Sequence, residues 1–327
     1  MSNIVEMRNI SIDYKLKKYA LHAVSDVSLD IQRGRITALV GESGSGKTTL
    51  ASAILRCISQ PGELVGGTIK YYDNDDEIDV NALKGRELNK FRWERVSMVF
   101  QASQSALNPV MTVFEQFYET AKVHDPSVSR KQVKEQLKKL FDFVNLDGER
   151  VMNNYPHELS GGMKQRIMIA FAIMLNPGLI ILDEPTTALD VITQDYIFKI
   201  LKRINREQNI AMLLMTHDIG VVAKYADYVG VMYAGRIVEY GSVEDVFYRS
   251  AHPYTRGLIQ ATPSLVADLS TMKPIAGLPH DIRNLPIGCP FADRCEFCID
   301  RCRAEFPQKQ GDGEHIYFCG RACEWTK

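Results

Sequence analysis

Residues 41–48 read Gly41-Glu42-Ser43-Gly44-Ser45-Gly46-Lys47-Thr48, a glycine-rich octet closed by a lysine and a hydroxyl. The spacing G-x-x-x-x-G-K-[ST] lets backbone amides turn inward around phosphate oxygens, and a following helix adds its N-terminal dipole. In that pattern Lys47 would reach the β- and γ-phosphates of a nucleotide and the Thr48 hydroxyl would ligate Mg2+, with Thr49 beside it. A second set is the acidic pair Asp183-Glu184 after an apolar run: Asp183 suits Mg2+, and Glu184 is placed to polarise an attacking water. A third is Ser160-Gly161-Gly162, a hydroxyl and two glycines that would make a second phosphate-binding surface at a helix N-terminus. Because the chain already has one phosphate loop, a second surface implies ATP shared across a dimer. The fourth is a cysteine cluster, Cys289, Cys295, Cys298, Cys302, Cys319 and Cys323, with Cys57 alone far upstream. In a reducing compartment such crowding suggests metal or redox chemistry more than disulfides.

These residues need strands that stop at them. Ile36-Thr37-Ala38-Leu39-Val40 runs into the glycine loop, Val96–Phe100 ends at Gln101, Leu179–Leu182 ends at Asp183, and Ala211–Met215 ends at Thr216-His217. Apolar runs without alternation are what a parallel sheet covered on both faces requires, with ligands past the C-terminal strand ends. Before residue 36 the text reads as short strands with a turn, Val24, Val27, Leu29 and Ile31 forming a half-buried face. Residues 129–145 predict an amphipathic helix with Val133, Leu137, Leu140, Phe141 and Val144 on one face and a Ser129/Gln132 capping box. The stretch 101–159 has helical patterns without comparable strands. After about residue 250 prolines recur and helical periodicity fades. The expected organisation is therefore a sheet domain over 1–250, with a helical subdomain at about 102–175, and an extension over 251–327.

The chain has 327 residues and a net charge of −1, which argues against a protein held mainly by nucleic-acid phosphates. No window carries the roughly twenty apolar residues of a membrane span, and the start lacks an export signal. The expectation is a cytoplasmic protein.

Leu159-Ser160-Gly161-Gly162-Met163-Lys164-Gln165-Arg166 resembles the signature motif of ABC ATPases. The resemblance implies an α/β P-loop NTPase fold: a mixed β-sheet core, an inserted helical subdomain and a small cysteine-rich C-terminal appendage. It implies that Gln101 is the Q-loop glutamine, a ligand to Mg2+ and water, and that Ala188-Leu189-Asp190 is the D-loop crossing the dimer interface. It makes His217 the switch histidine contacting the γ-phosphate, and Tyr14 the aromatic stacking on adenine, with Tyr19 as rival.

The match narrows in Tyr155-Pro156-His157-Glu158, Ala106-Leu107-Asn108-Pro109 and His252-Pro253-Tyr254-Thr255-Arg256-Gly257-Leu258, which look like dipeptide/oligopeptide importer ATPases. Met163 points to the D-type of their two ATPases. That implies two permeases, a homologous second ATPase (or a homodimer) and an external solute-binding protein as partners, with the motor on the cytoplasmic face of the membrane. The region from Gln101 to Val113 would receive the permeases' coupling helices. Closely similar ATPases serve oligosaccharide and nickel importers, and soluble ABC ATPases of translation or repair are a more distant alternative. Cys289, Cys295, Cys302 and Cys319 match the subfamily pattern that in some members holds a [4Fe–4S] cluster. By spacing alone, Cys295/Cys298 with Cys319/Cys323 resembles a zinc knuckle, and free thiols are the third reading.

Overall fold

The computed structural model describes residues 2–73, 76–101, 105–187, 189–262 and 275–322. The chain begins with strands β1 (Asn3–Lys15), β2 (Ala20–Gln32) and β3 (Ile36–Val40), then helix α1 (Lys47–Ile54) and strands β4 (Gly62–Asp73) and β5 (Asp76–Asp79). Next come α2 (Gly85–Glu94), β6 (Val96–Val99), α3 (Val113–His124), α4 (Arg130–Phe143), α5 (Gly148–Asn153), α6 (Gly161–Ile173), β7 (Leu179–Asp183) and α7 (Val191–Gln208). They are followed by β8 (Ala211–Met215), α8 (Ile219–Tyr225), β9 (Tyr228–Tyr233), β10 (Arg236–Ser242), α9 (Val243–Tyr248) and α10 (Pro253–Gln260). The chain closes with α11 (Asp300–Ala304), β11 (Gln310–Gly311) and β12 (Ile316–Tyr317). Two compact units result, one from Met1–Leu83 with Leu213–Lys327, the other from Lys84–Met212.

In the first unit β2, β1, β4 and β5 form an antiparallel sheet in that order. The strands β1 and β2 are each 13 residues long rather than short. Their alternation is re-phased by register shifts in the β1–β2 ladder, and Asn9 and Asp26 take positive φ. That is why Val24 and Val27 share the buried face despite an odd spacing. A second, mixed layer pairs β3 with β9 in parallel and β9 with β10 antiparallel. All five residues of β3 are buried, as a strand covered on both faces demands.

The extension packs into this unit. Tyr254 and Phe291 join the core of Val40, Val229, Val231 and Val246. Both rings are almost completely buried, and each such burial contributes about 1.5–3 kcal/mol. Glu239 on β10, fully buried, accepts hydrogen bonds from the amides of Ala251 (2.7 Å) and His252 (3.0 Å) and pairs with His315 at 2.8 Å. His252 caps α10, its Nδ1 accepting from the Tyr254 amide at 3.1 Å, with Pro253 in the first turn.

In the second unit β6 and β7 are parallel, pairing Val96 with Leu179 through Val99 with Leu182. Helices α3–α6 fill the expected helical stretch. The capping box at Ser129 forms with Gln132, and Val133, Leu137, Phe141 and Val144 are buried. Phe141 meets Phe117 edge to face, with ring centroids 5.5 Å apart. No helix among the described residues is long and apolar enough to cross a membrane.

Candidate nucleotide site

The phosphate loop is shaped by neighbours that leave no room for side chains. Gly41 has φ of +148°, and a Cβ there would collide with the Met232 carbonyl. Gly46 has φ of +99°, and its Cβ would strike the Ala23 carbonyl. The loop is thus wedged between β9 and β2, and only glycine fits at both positions. Gly46 occupies the N-cap of α1 and no side chain caps the helix there. Lys47, 9 % exposed, folds over the loop, Nζ donating to the carbonyls of Gly41 (2.8 Å) and Glu42 (2.9 Å) and to Ser45 Oγ (3.2 Å). A phosphate in the loop would accept charge-assisted donation from the same ammonium, which has three protons to give.

In the same unit, β8 lies beside β3, the Thr216 amide donating to the Leu39 carbonyl at 3.3 Å. His217 follows exposed, one residue before Asp218, whose carboxylate caps α8 by accepting from the Val221 amide. The hydroxyl of Tyr14 is 3.4 Å from Thr49 Oγ1, and its ring is close enough to Gly62 to forbid a Cβ there. Tyr19 is 46 % exposed on the β1–β2 turn, near Arg283.

In the second unit the parallel register places Gln101 and Glu184 two residues beyond the paired Val99 and Leu182. Gln101 Nε2 donates to Glu184 Oε2 at 3.1 Å, and Thr187 Oγ1 donates to the same oxygen at 3.0 Å. Asp183 is 4 % exposed at the end of β7. Glu184 takes φ of +45°, a left-handed conformation rare for a residue with a side chain, and of the kind that concentrates at active sites. Thr187 was not visible as a partner in the sequence, where only its offset of three residues hinted at it.

Ser160 caps α6, its Oγ accepting from the Met163 amide at 3.3 Å. A capping hydroxyl accepts through a lone pair and keeps its own proton to donate. Asp190 caps α7, accepting from the Thr193 amide (2.9 Å) and hydroxyl (2.7 Å), and these bonds hold its carboxyl below the usual range. Thr193 also touches the Gly162 position, where a Cβ would sit 3.1 Å from its methyl. The signature residues and Asp190 are therefore brought together by Thr193, a second residue the sequence did not single out. Ala188 of the D-loop lies outside the described residues. Leu107 is buried, whereas Pro109 and Val110 are exposed, Val110 at 79 %.

In the extension, Cys289, Cys295, Cys302 and Cys319 line one small cavity walled by Phe291, Phe297, Phe318 and Pro307. The Cys289 amide donates to the Cys302 carbonyl at 2.7 Å, and Gly288 is required there because a Cβ would strike that carbonyl. Burial pushes the Cys289 thiol up to about 12 and Cys319 to about 11. Backbone amides of Phe291, Phe297 and Arg321 aim at the sulfurs of Cys289, Cys295 and Cys319 and pull the other way. Cys298 does not line the cavity, and Cys323 lies outside the described residues. Among the described residues no group of three or more His, Cys, Asp or Glu is placed to hold a metal ion, and this holds for the four cysteines expected to carry a cluster; the zinc-knuckle set includes Cys323, outside the described residues.

Comparison with known proteins identifies the family. The family model "ABC transporter" matches residues 24–187, and "Oligopeptide/dipeptide transporter, C-terminal region" matches residues 238–302. The dipeptide transport ATP-binding protein DppD of Caldanaerobacter subterraneus is 40 % identical over 98 % of this chain and 99 % of its own. The oligopeptide transport ATP-binding protein OppD of Salmonella typhimurium is 41 % identical over 98 % of this chain and 94 % of its own. Among solved structures, a dimeric ATP-binding cassette in a post-hydrolysis state with ADP and phosphate aligns with TM-score 0.64. It is 30 % identical and covers 73 % of this chain and 98 % of that one. With both regions matched and relatives about 40 % identical over nearly the whole chain, the chain belongs to the ATP-binding proteins of the dipeptide/oligopeptide ABC transporters.

Proposed function

We propose that this chain hydrolyses ATP to power uptake of di- or oligopeptides, as one half of an ATP-clamping pair. The observation that carries the reading is the Glu184 carboxylate, directly after Asp183 and held by Gln101 and Thr187. In this mechanism the loop amides and Lys47 bind the β- and γ-phosphates. Glu184 takes the proton of the attacking water, and His217 steadies the γ-phosphate. Thr48, Asp183 and Gln101 would hold Mg2+ through oxygen donors, which suit a hard cation that neutralises phosphate charge. Ser160, Gly161 and Gly162 serve the partner's ATP, with Asp190 at the shared interface. Tyr14 stacks on adenine.

The partners are a second ATPase and two permeases, the latter docking near Val110, with a solute-binding protein outside. The motor sits peripherally on the cytoplasmic face. The relatives' names and the matched C-terminal region support the peptide cargo. Co-expression with the permeases and second ATPase, followed by reconstitution, tests it. ATP turnover should rise with peptide and binding protein together, and turnover indifferent to peptide would overturn the cargo.

Cys289, Cys295, Cys302 and Cys319 would hold a [4Fe–4S] cluster. Four cysteines lining one apolar cavity, with amides aimed at three of the sulfurs, support this reading. When bound there the cluster would cross-link a segment with few buried residues of its own. Anaerobically purified protein lacking iron and sulfide would sink this assignment.

A further inference from the structure

The C-terminal extension reaches the phosphate loop at a residue that no motif assigns. Glu42, second in the loop, has its side chain, amide and carbonyl all engaged. Its carboxylate takes a two-pronged hydrogen bond from Arg294, Nη1 to Oε2 at 2.8 Å and Nη2 to Oε1 at 2.9 Å. Its amide donates to the Tyr254 hydroxyl at 2.9 Å, and its carbonyl accepts from Lys47 Nζ at 2.9 Å. The Arg294 side chain is 6 % exposed. Its Nε donates to the Ala276 carbonyl at 2.8 Å, and its guanidinium lies 5.7 Å from the Tyr233 ring centre and 5.8 Å from that of Phe291. Tyr254 is fully buried. Both clamping groups are therefore fixed by their own surroundings before they meet Glu42.

We propose that Arg294 and Tyr254 are positioning residues for nucleotide binding, holding Glu42 so that its carbonyl keeps Lys47 poised over the phosphate loop. A planar guanidinium gripping both carboxylate oxygens fixes orientation as well as place, which a lone charge does not. Freed of that grip, the peptide on either side of Glu42 can rotate, and the lysine loses one of its acceptors. Misplacement on the scale of 1 Å is enough to cost about a hundredfold in a preorganised site. The extension thus belongs to the nucleotide site, and Arg294 immediately precedes Cys295, so the cavity of cysteines and the loop share one short segment.

This rests on residues 41–48 binding ATP, so Mg-ATP affinity of the full chain is measured first by calorimetry. No binding by the parent chain would sink that reading and the clamp with it. Given binding, Arg294→Ala should weaken Mg-ATP about tenfold, equivalent to about 1.4 kcal/mol, and Arg294→Lys should recover only part of the loss. Tyr254→Phe keeps the buried ring and should weaken binding about threefold, on the order of half that effect in free energy. Glu42→Gln combined with Arg294→Ala should be no weaker than Arg294→Ala alone, because the arginine acts through Glu42. Iron content and unfolding midpoint without nucleotide are recorded for each variant. Parent-like affinity in Arg294→Ala and Tyr254→Phe, losses that multiply in the double variant, or losses that track missing iron would each overturn the clamp. Should Arg294→Ala fail to fold, Tyr254→Phe and Glu42→Gln carry the test.

Discussion

Gln101 and Glu184, 83 residues apart in sequence, are joined side chain to side chain at 3.1 Å across the ends of two paired parallel strands. The amide donates and the carboxylate accepts. A movement of the segment after β6 is thereby felt at the group that would activate water.

Replacing Glu184 by Gln removes the base while keeping the shape of the side chain. Turnover should fall by about a hundredfold or more, the range for loss of a general base, while ATP binding persists. Phosphate release and nucleotide affinity, measured on the same preparation, check both halves. Unchanged hydrolysis would remove Glu184 from its role.

Gly46→Ala introduces a Cβ that strikes the Ala23 carbonyl and a left-handed φ that costs about 1–2 kcal/mol. The loop must open to relieve both. ATP affinity should drop by at least about tenfold, a loss of about 1.4 kcal/mol. Gly44 also has positive φ but faces open space, so Gly44→Ala should be milder in the same titration.

His252 ties stability to acid. Its imidazole is completely buried and its pKa is pushed down to about 3 by desolvation, with Nδ1 already committed as an acceptor. In the unfolded chain the ring protonates near its ordinary value, about 6.5. Below that pH the unfolded state binds a proton the folded state refuses. Stability should therefore fall as pH drops from about 6.5 towards 3, with a slope of up to about 1.4 kcal/mol per pH unit. His252→Asn, which can still cap α10, should flatten that slope in denaturant titrations at pH 7, 6 and 5 (about one unit apart, within the window). An identical slope in the variant would exclude His252 as its source.

Ser129→Ala deletes one half of the capping box that starts α4. The expected loss is about 1 kcal/mol of stability with no change in ATP affinity. Thermal unfolding of the metal-free chain reads it.

The strands that end at the candidate site residues were legible because β3, β7 and β8 are short, wholly buried runs, apolar but for Thr37 and Asp183, whose burial on both faces suppresses alternation. The helix after Ser129 was legible from period and cap together. The length of β1 and β2 was hidden, since register shifts and left-handed residues at Asn9 and Asp26 break the two-residue period that a reader counts. At the site, backbone-shaping glycines announce themselves. Side chains such as Thr187, Thr193 and Arg294 do not, because their roles depend on partners brought close only by folding. Arg294 is 252 positions from Glu42, and nothing local marks either as half of a pair.

Glu239 makes the boundary near residue 250 a seam that cannot be unpicked cleanly. All the donors identified for its buried carboxylate, the amides of Ala251 and His252 and the ring of His315, arrive from chain that follows it. A core trimmed at residue 250 would keep the acid and discard its donors together with β12, the strand paired beside it at Tyr317. Removing the partners of a buried charge costs up to about 3–5 kcal/mol, a large share of a domain's margin. Shortening the tail, by engineering or in evolution, therefore has to begin with the removal of that one acid.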